Sequence, residues 1–237
     1  MSQRNTKGFT LIELMLAMSF VSVLLISIAM LTIQISHLYT RGLTMKEVNQ
    51  AGTEITSDIK RTFSQAYAAG VSYREDNGRK FLCTGDYTYV ANNPDDLEKE
   101  TLPSPPANLL KITGSSTYVR LAKVKDLNGS LCKINPIPAL LPIGSTELLG
   151  GGDRRLVVGG MSLSPSAASI AANPGLTDDF AAGRMLYTIT LTLRSGVKAE
   201  LTTDDQCLPP AEVESNSDYC AIDTFVIVAR VGNTYKN

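Results

Sequence analysis

Residues capable of chemistry are few in this chain, and their spacing argues against most reactions. The four cysteines, Cys83, Cys132, Cys207 and Cys220, include no Cys-x-x-Cys pair, and the single histidine, His37, stands far from all of them in sequence. That pattern does not build a zinc site, and one imidazole without a partnered nucleophile does not make a catalytic triad. Adjacent acids occur at Asp95-Asp96, Asp178-Asp179 and Asp204-Asp205, but none lies in an EF-hand loop, and neighbouring acids are ordinarily just solvated. Gly150-Gly151-Gly152-Asp153-Arg154-Arg155 has the glycines of a phosphate loop without its Lys-Ser/Thr ending or a following helix, so a flexible turn is the better reading. No metal, no cofactor and no enzymatic activity are expected.

One carboxylate is out of place. Glu13 precedes a stretch, Met15 to Ile35, that holds no Lys, Arg, Asp or Glu. A hydrocarbon core of about 30 Å needs about 20 apolar residues in helical form, and residues 14–33 supply that length. An acid at the mouth of such a segment is costly. Either it reaches headgroups and water with no partner, or it meets a positive charge from another chain where the low dielectric makes the pair strong. Arg4 and Lys7 lie before the apolar run with no acid beside them, which keeps the N-terminus cytoplasmic and sends the bulk of the chain across the membrane.

The heptapeptide Lys7-Gly8-Phe9-Thr10-Leu11-Ile12-Glu13 resembles the class III leader junction of type IV prepilins and type II secretion pseudopilins. The resemblance implies that a prepilin peptidase cleaves between Gly8 and Phe9, that Phe9 becomes the N-methylated first residue, and that Glu13 neutralises the Phe9 amino group of a neighbouring subunit during filament assembly. It further implies contacts with other minor and major pilins or pseudopilins through the N-terminal helix, and with the inner-membrane assembly platform. The implied location is the inner membrane, with the N-terminus cytoplasmic and the C-terminal domain periplasmic, and then the pilus or pseudopilus. Major pilins usually carry a helix-breaking proline within the span, where Met30 stands here, so the resemblance is closer to minor pilins and minor pseudopilins.

The elements that must position these residues follow from periodicity. Beyond Ile35, Leu38, Val48, Gly52, Ile55, Ile59, Phe63 and Ala66 recur at mostly helical spacing, with Lys46, Glu47, Glu54, Asp58, Lys60 and Arg61 on the other face. A helix from 9 to about 68 would be roughly 90 Å long. Gly42 and Gly52 would mark a bend or the close approach of another backbone, and Gly70 a C-cap. The pattern then changes to period two. Short strands are expected over 81–84, 87–90, 108–113 and 117–124, with a further one over 131–134. A turn is expected at Asn93-Pro94-Asp95-Asp96, and extended Pro-rich loops follow Leu102 and Pro136. A strand over 155–163 is expected next, then a loop over 164–183. The alternation of 185–193, broken at Ser195-Gly196 and resumed over 197–201, reads as a hairpin, and a last strand covers 224–231. The expected fold is α+β, a pilin-like lollipop with a long N-terminal transmembrane and amphipathic helix packed on an antiparallel β-sheet domain. Its parts are a leader (1–8), a membrane half (9–35), an amphipathic half (36–69) and an exported β-rich domain (70–237). That pattern of elements resembles the PilW-type minor pilins and J-type pseudopilins.

Four cysteines in an exported domain favour two disulfides among three connectivities. Cys207–Cys220 closes a short loop between the late hairpin and the last strand, and Cys83–Cys132 then follows. Without Arg4 and Lys7 the chain has 20 basic residues against 23 acidic ones, which gives no basic face for nucleic acid. Two roles remain: a minor subunit that starts or caps a filament, in a pilus or a secretion system, and a tip receptor or adhesin. The junction generates a direct test. The mature protein is expected to begin at Phe9 on amino-terminal sequencing, and replacing Gly8 by a bulky residue is expected to leave an uncleaved, membrane-retained form. A mature chain beginning at Met1 or beyond Ile35 would contradict the reading.

Overall fold

The computed structural model describes residues 10–67, 70–127, 129–150, 155–165, 186–210, 212 and 215–231. Thr10 starts the helix. Its backbone is extended, its hydroxyl accepts a hydrogen bond from the Glu13 amide, and the Glu13 carboxylate accepts one from the Thr10 amide in return, closing a capping box. From there α1 (Leu11–Gln65) runs for 55 residues with no proline to interrupt it, about 82 Å at about 1.5 Å per residue. It ends when Ala66 turns extended and donates its amide to the Phe63 carbonyl. Gly70 is therefore not the cap expected from the sequence. A Cβ there would lie 2.8 Å from the Gly85 Cα and 2.7 Å from the Tyr67 ring, so this glycine allows two chain segments to touch.

The two halves of α1 live in different surroundings. Every residue from Thr10 to Tyr39 is exposed, whereas Thr44, Val48, Gly52, Ile55, Ile59, Thr62 and Phe63 form a buried stripe at helical spacing. That stripe packs on a three-stranded antiparallel sheet of order β10-β9-β8, made of β8 (Val157–Pro165), β9 (Leu186–Ser195) and β10 (Ala221–Arg230). The inward residues of β9 and β10, Ile189, Leu191, Leu193, Ile227 and Ala229, join Ile59 and Phe63 in one core. Each such large side chain contributes about 1.5 to 3 kcal/mol by leaving water. Gly52 is the contact point. The Phe225 ring rests directly on it, and a Cβ would overlap the ring. The close approach expected at Gly52 is thus made by a side chain, not by a backbone, while Gly42 faces open space.

A second antiparallel sheet, of order β1-β2-β3-β5-β7, is built from β1 (Val71–Asp76), β2 (Arg79–Thr84), β3 (Tyr87–Ala91), β5 (Ala122–Lys125) and β7 (Thr146–Glu147). A one-turn helix α2 (Pro94–Leu97) and a two-residue parallel pair, β4 (Lys111–Ile112) with β6 (Leu140–Leu141), fill the connections. The architecture is α+β, one long N-terminal helix with antiparallel sheets at its second half. Several local expectations are corrected. The hairpin expected around Ser195-Gly196 does not form: Gly196 adopts φ +94° and leads into a 3₁₀ turn, Lys198–Glu200, while β9 pairs along its whole length with β10. A tight hairpin occurs instead at Asn77-Gly78, both at positive φ, which joins β1 to β2. Strand β1 is an addition to the expected set. Residues 93–97 are an Asn93-capped helical turn in place of the expected loop turn, and Ser130–Cys132 is a 3₁₀ turn in place of a strand. The strands expected over 108–113 and 117–124 shrink to β4 and β5, and the last strand starts three residues earlier, at Ala221. Most of the 164–183 loop and residues 151–154 lie outside the described residues.

Two disulfides staple the connections, Cys83–Cys132 and Cys207–Cys220. The first ties β2 to the 3₁₀ turn after β5. The second closes the segment that brings Asp218 to the helix. Loop-closure arithmetic assigns about 3 kcal/mol to the shorter loop and about 4 kcal/mol to the longer one. In denaturant titrations of the full chain in detergent, the Cys207→Ser/Cys220→Ser pair is expected to lower stability by about 3 kcal/mol, and reduction of both bonds by more. An unchanged midpoint for the double variant would contradict a structural role for that bond.

Candidate assembly interface

At the start of α1, Oε2 of Glu13 accepts from the Thr10 amide at 3.0 Å and from the Thr10 hydroxyl at 2.8 Å. Oε1 takes no hydrogen bond among the described residues. Glu13 thus has a local role in addition to the one the resemblance implies, and its signal is local too, since Thr10-Leu11-Ile12-Glu13 is a capping-box pattern. The cap fixes the carboxylate at the tip of the helix and leaves an acceptor facing outward. Gly8 and Phe9, the expected processing residues, lie outside the described residues.

From Leu11 to Thr40, Glu13 is the only Asp, Glu, Lys or Arg. Four hydroxyls in this stretch are satisfied within the helix: Ser19, Ser22, Ser27 and Thr32 donate to the carbonyls of Leu16, Met18, Val23 and Ile28 at 2.8–2.9 Å. Hydroxyls bonded internally, along a run of mostly apolar side chains, suit a hydrocarbon medium. Among the described residues one helix, near the N-terminus, is long and apolar enough to cross a membrane.

The domain meets the helix just past that span. The His37 imidazole pairs with the Asp218 carboxylate, and the Thr44 hydroxyl donates to the Asp218 carbonyl at 2.9 Å. His37 is therefore part of a junction between stalk and domain. About four turns further on, a polar cluster locks the helix to the larger sheet. Lys123 on β5 donates to both Asp58 oxygens at 2.8 and 2.9 Å and to the Thr62 hydroxyl at 2.9 Å, and the Tyr89 hydroxyl donates to Asp58 at 2.7 Å. Arg61 completes the ring of donors around the carboxylate at 2.8 Å. Burial works to raise the Asp58 carboxyl, but the hydrogen bonds from Lys123 and Tyr89 and the Lys123 charge outweigh it and hold it below the ordinary value.

The remaining candidates are dispersed. Asp95 and Lys198 pair on the surface, Asp96 accepts from Asn108, and Asp204-Asp205 lie in an exposed turn. Asp178-Asp179 fall outside the described residues. Among the described residues no group of three or more His, Cys, Asp and Glu is arranged to hold a metal ion. Arg155, from the glycine-rich stretch, pairs with Glu100.

Asp58 yields a pH-dependent prediction. Because its carboxyl is held low in the folded state, its contribution is present above the unfolded value of about 3.9 and is lost as pH falls through the folded one. Asp58→Asn is expected to cost about 3 kcal/mol at pH 7 by stranding a mostly buried Lys123. In denaturant titrations the gap between the variant and the original chain is expected to close as pH drops below about 4. A gap that stays constant with pH would overturn the assignment.

Comparison of the chain with known family models, with curated proteins and with solved structures gives no match.

Proposed function

We propose that this chain is a minor subunit of a type IV pilus that helps to initiate or cap assembly at the inner membrane. The observation that carries the reading is the coincidence of two features on one helix. A prepilin-like junction ending in Glu13 stands at its tip, and the apolar residues behind it are exposed as far as Tyr39 while the second half is buried under the domain. An exposed apolar helix needs a bilayer before assembly and other helices after it. The same surface serves both in the proposed function, with the domain, roughly residues 70–237, on the periplasmic side.

Glu13 supplies direction in this scheme. Its Oε1 is open while Oε2 is engaged by Thr10, so an ammonium from the Phe9 terminus of a neighbouring chain has an acceptor waiting in a medium of low dielectric. Head-to-tail pairing of this kind is heterologous and propagates, as a helical filament requires.

The test is Glu13→Gln, which preserves shape and removes charge. Cleavage, membrane insertion and protein level are expected to stay normal, because none of these requires the carboxylate, while recovery of the chain in sheared filaments falls roughly tenfold or more. Unchanged incorporation would reduce Glu13 to a helix cap.

A further inference from the structure

A cleft of about 460 Å³ opens between the β1–β2 turn, the start of α2 and the β8–β10 sheet. Its size lies in the range of small-molecule sites, about 300 to 1,000 Å³. Two cations that line it are buried. Arg194 on β9 is 4% exposed and Lys80 on β2 is 7% exposed. Buried cations are ordinarily paired and fully hydrogen-bonded. These two are not. The Nε of Arg194 has no hydrogen-bond partner among the described residues, and its Nη2 is 3.4 Å from Asp95 and 3.7 Å from Glu98, beyond good hydrogen-bonding distance. The aliphatic stem of Arg194 lies along Gly159, where a Cβ would come within 3.4 Å of it. The Lys80 ammonium donates to the Gly78 carbonyl at 3.2 Å, and burial pushes its pKa down. Asp95, the nearest carboxylate to Arg194, is shared with the exposed Lys198 at 2.5 Å.

The rim is mostly acidic, and its exposed cation, Lys198, is already paired with Asp95. Glu75, Asp204 and Asp205 are exposed carboxylates from two separate segments, beside the Gln206 amide. A compact dianion would be repelled by that rim. A single carboxylate carried on a body with several neutral hydrogen-bond donors matches both levels, with its charge on the buried cations and its donors on the rim acceptors.

We propose that this cleft is a binding site for an acidic monosaccharide unit, a uronic acid, whose carboxylate is held by Arg194 and Lys80 and whose ring hydroxyls donate to Glu75, Asp204 and Asp205. The site is independent of the filament reading. It requires neither Glu13 nor the membrane half of the helix, so a Glu13→Gln chain keeps it.

Calorimetric titration of the full chain in detergent micelles with D-galacturonate, D-galactose and inorganic phosphate tests the proposal. Galacturonate is expected to bind roughly tenfold or more tightly than galactose, since only the acid adds a charged acceptor to the incompletely hydrogen-bonded Arg194 and Lys80. Arg194→Gln is expected to weaken galacturonate roughly tenfold. Thr224, exposed on β10 at the wall of the cleft, offers a variant that leaves the buried groups alone. Thr224→Trp is expected to abolish binding by filling the opening, and it keeps the cleft testable should Arg194→Gln fail to fold. Absence of galacturonate binding, equal affinity for galactose, phosphate binding as tightly as galacturonate, or binding that survives Thr224→Trp would each overturn the proposal.

Discussion

A single helix presents two different surfaces along its length, and most of the structure follows from that constraint. Its first thirty or so residues offer mostly apolar side chains outward, with the hydroxyls of Ser19, Ser22, Ser27 and Thr32 folded back onto carbonyls of the same helix. Its second half offers one apolar stripe to a sheet and a charged face to water. The change occurs over about one turn, between Tyr39 and Thr44. There the His37–Asp218 pair and the Thr44 bond to the Asp218 carbonyl fasten the domain to the stalk.

The grip of the domain on the helix comes from two chemically distinct contacts. One is apolar and close: the Phe225 ring on Gly52, with Ile59, Phe63, Leu191 and Ile227 continuing the same core along the helix. The other is polar and directional, the Asp58 carboxylate with donors from Lys123, Tyr89 and Arg61. Apolar burial supplies most of the free energy but tolerates sliding, whereas a carboxylate with several fixed donors sets rotation and register. The Cys207–Cys220 bond restricts the segment that delivers Asp218, so the covalent staple and the junction act on the same loop.

What is legible in the sequence divides along physical lines. The helix is legible because its signals are local and repeated: an uninterrupted apolar run, then Val48, Ile55, Ile59 and Phe63 at helical spacing. The α+β class follows from the change of period after residue 70. Turn chemistry is local as well, yet it needs the right flanks. Asn77-Gly78 carries a strong hairpin signal and makes a hairpin, whereas Ser195-Gly196 resembles one only because alternation resumes after it. Residues 197–201 do not pair with β9 because β10, ten residues long and carrying Phe225 and Ile227, fills that edge. The Asp58–Lys123 pair joins positions 65 residues apart, and the partnering of Arg194 with Asp95 spans 99. No local pattern encodes either; they exist only once the sheets have assembled.

The central claim is that the exposed apolar half of α1 exchanges lipid for other helices of the same kind. A photoreactive residue placed at Leu16, exposed and one turn from Glu13, reads that exchange directly in cells that make filaments. The account predicts that irradiation of sheared filaments gives adducts to a second polypeptide, mapping to an N-terminal apolar helix. Adducts to lipid alone, with this chain absent from the sheared material, would contradict it.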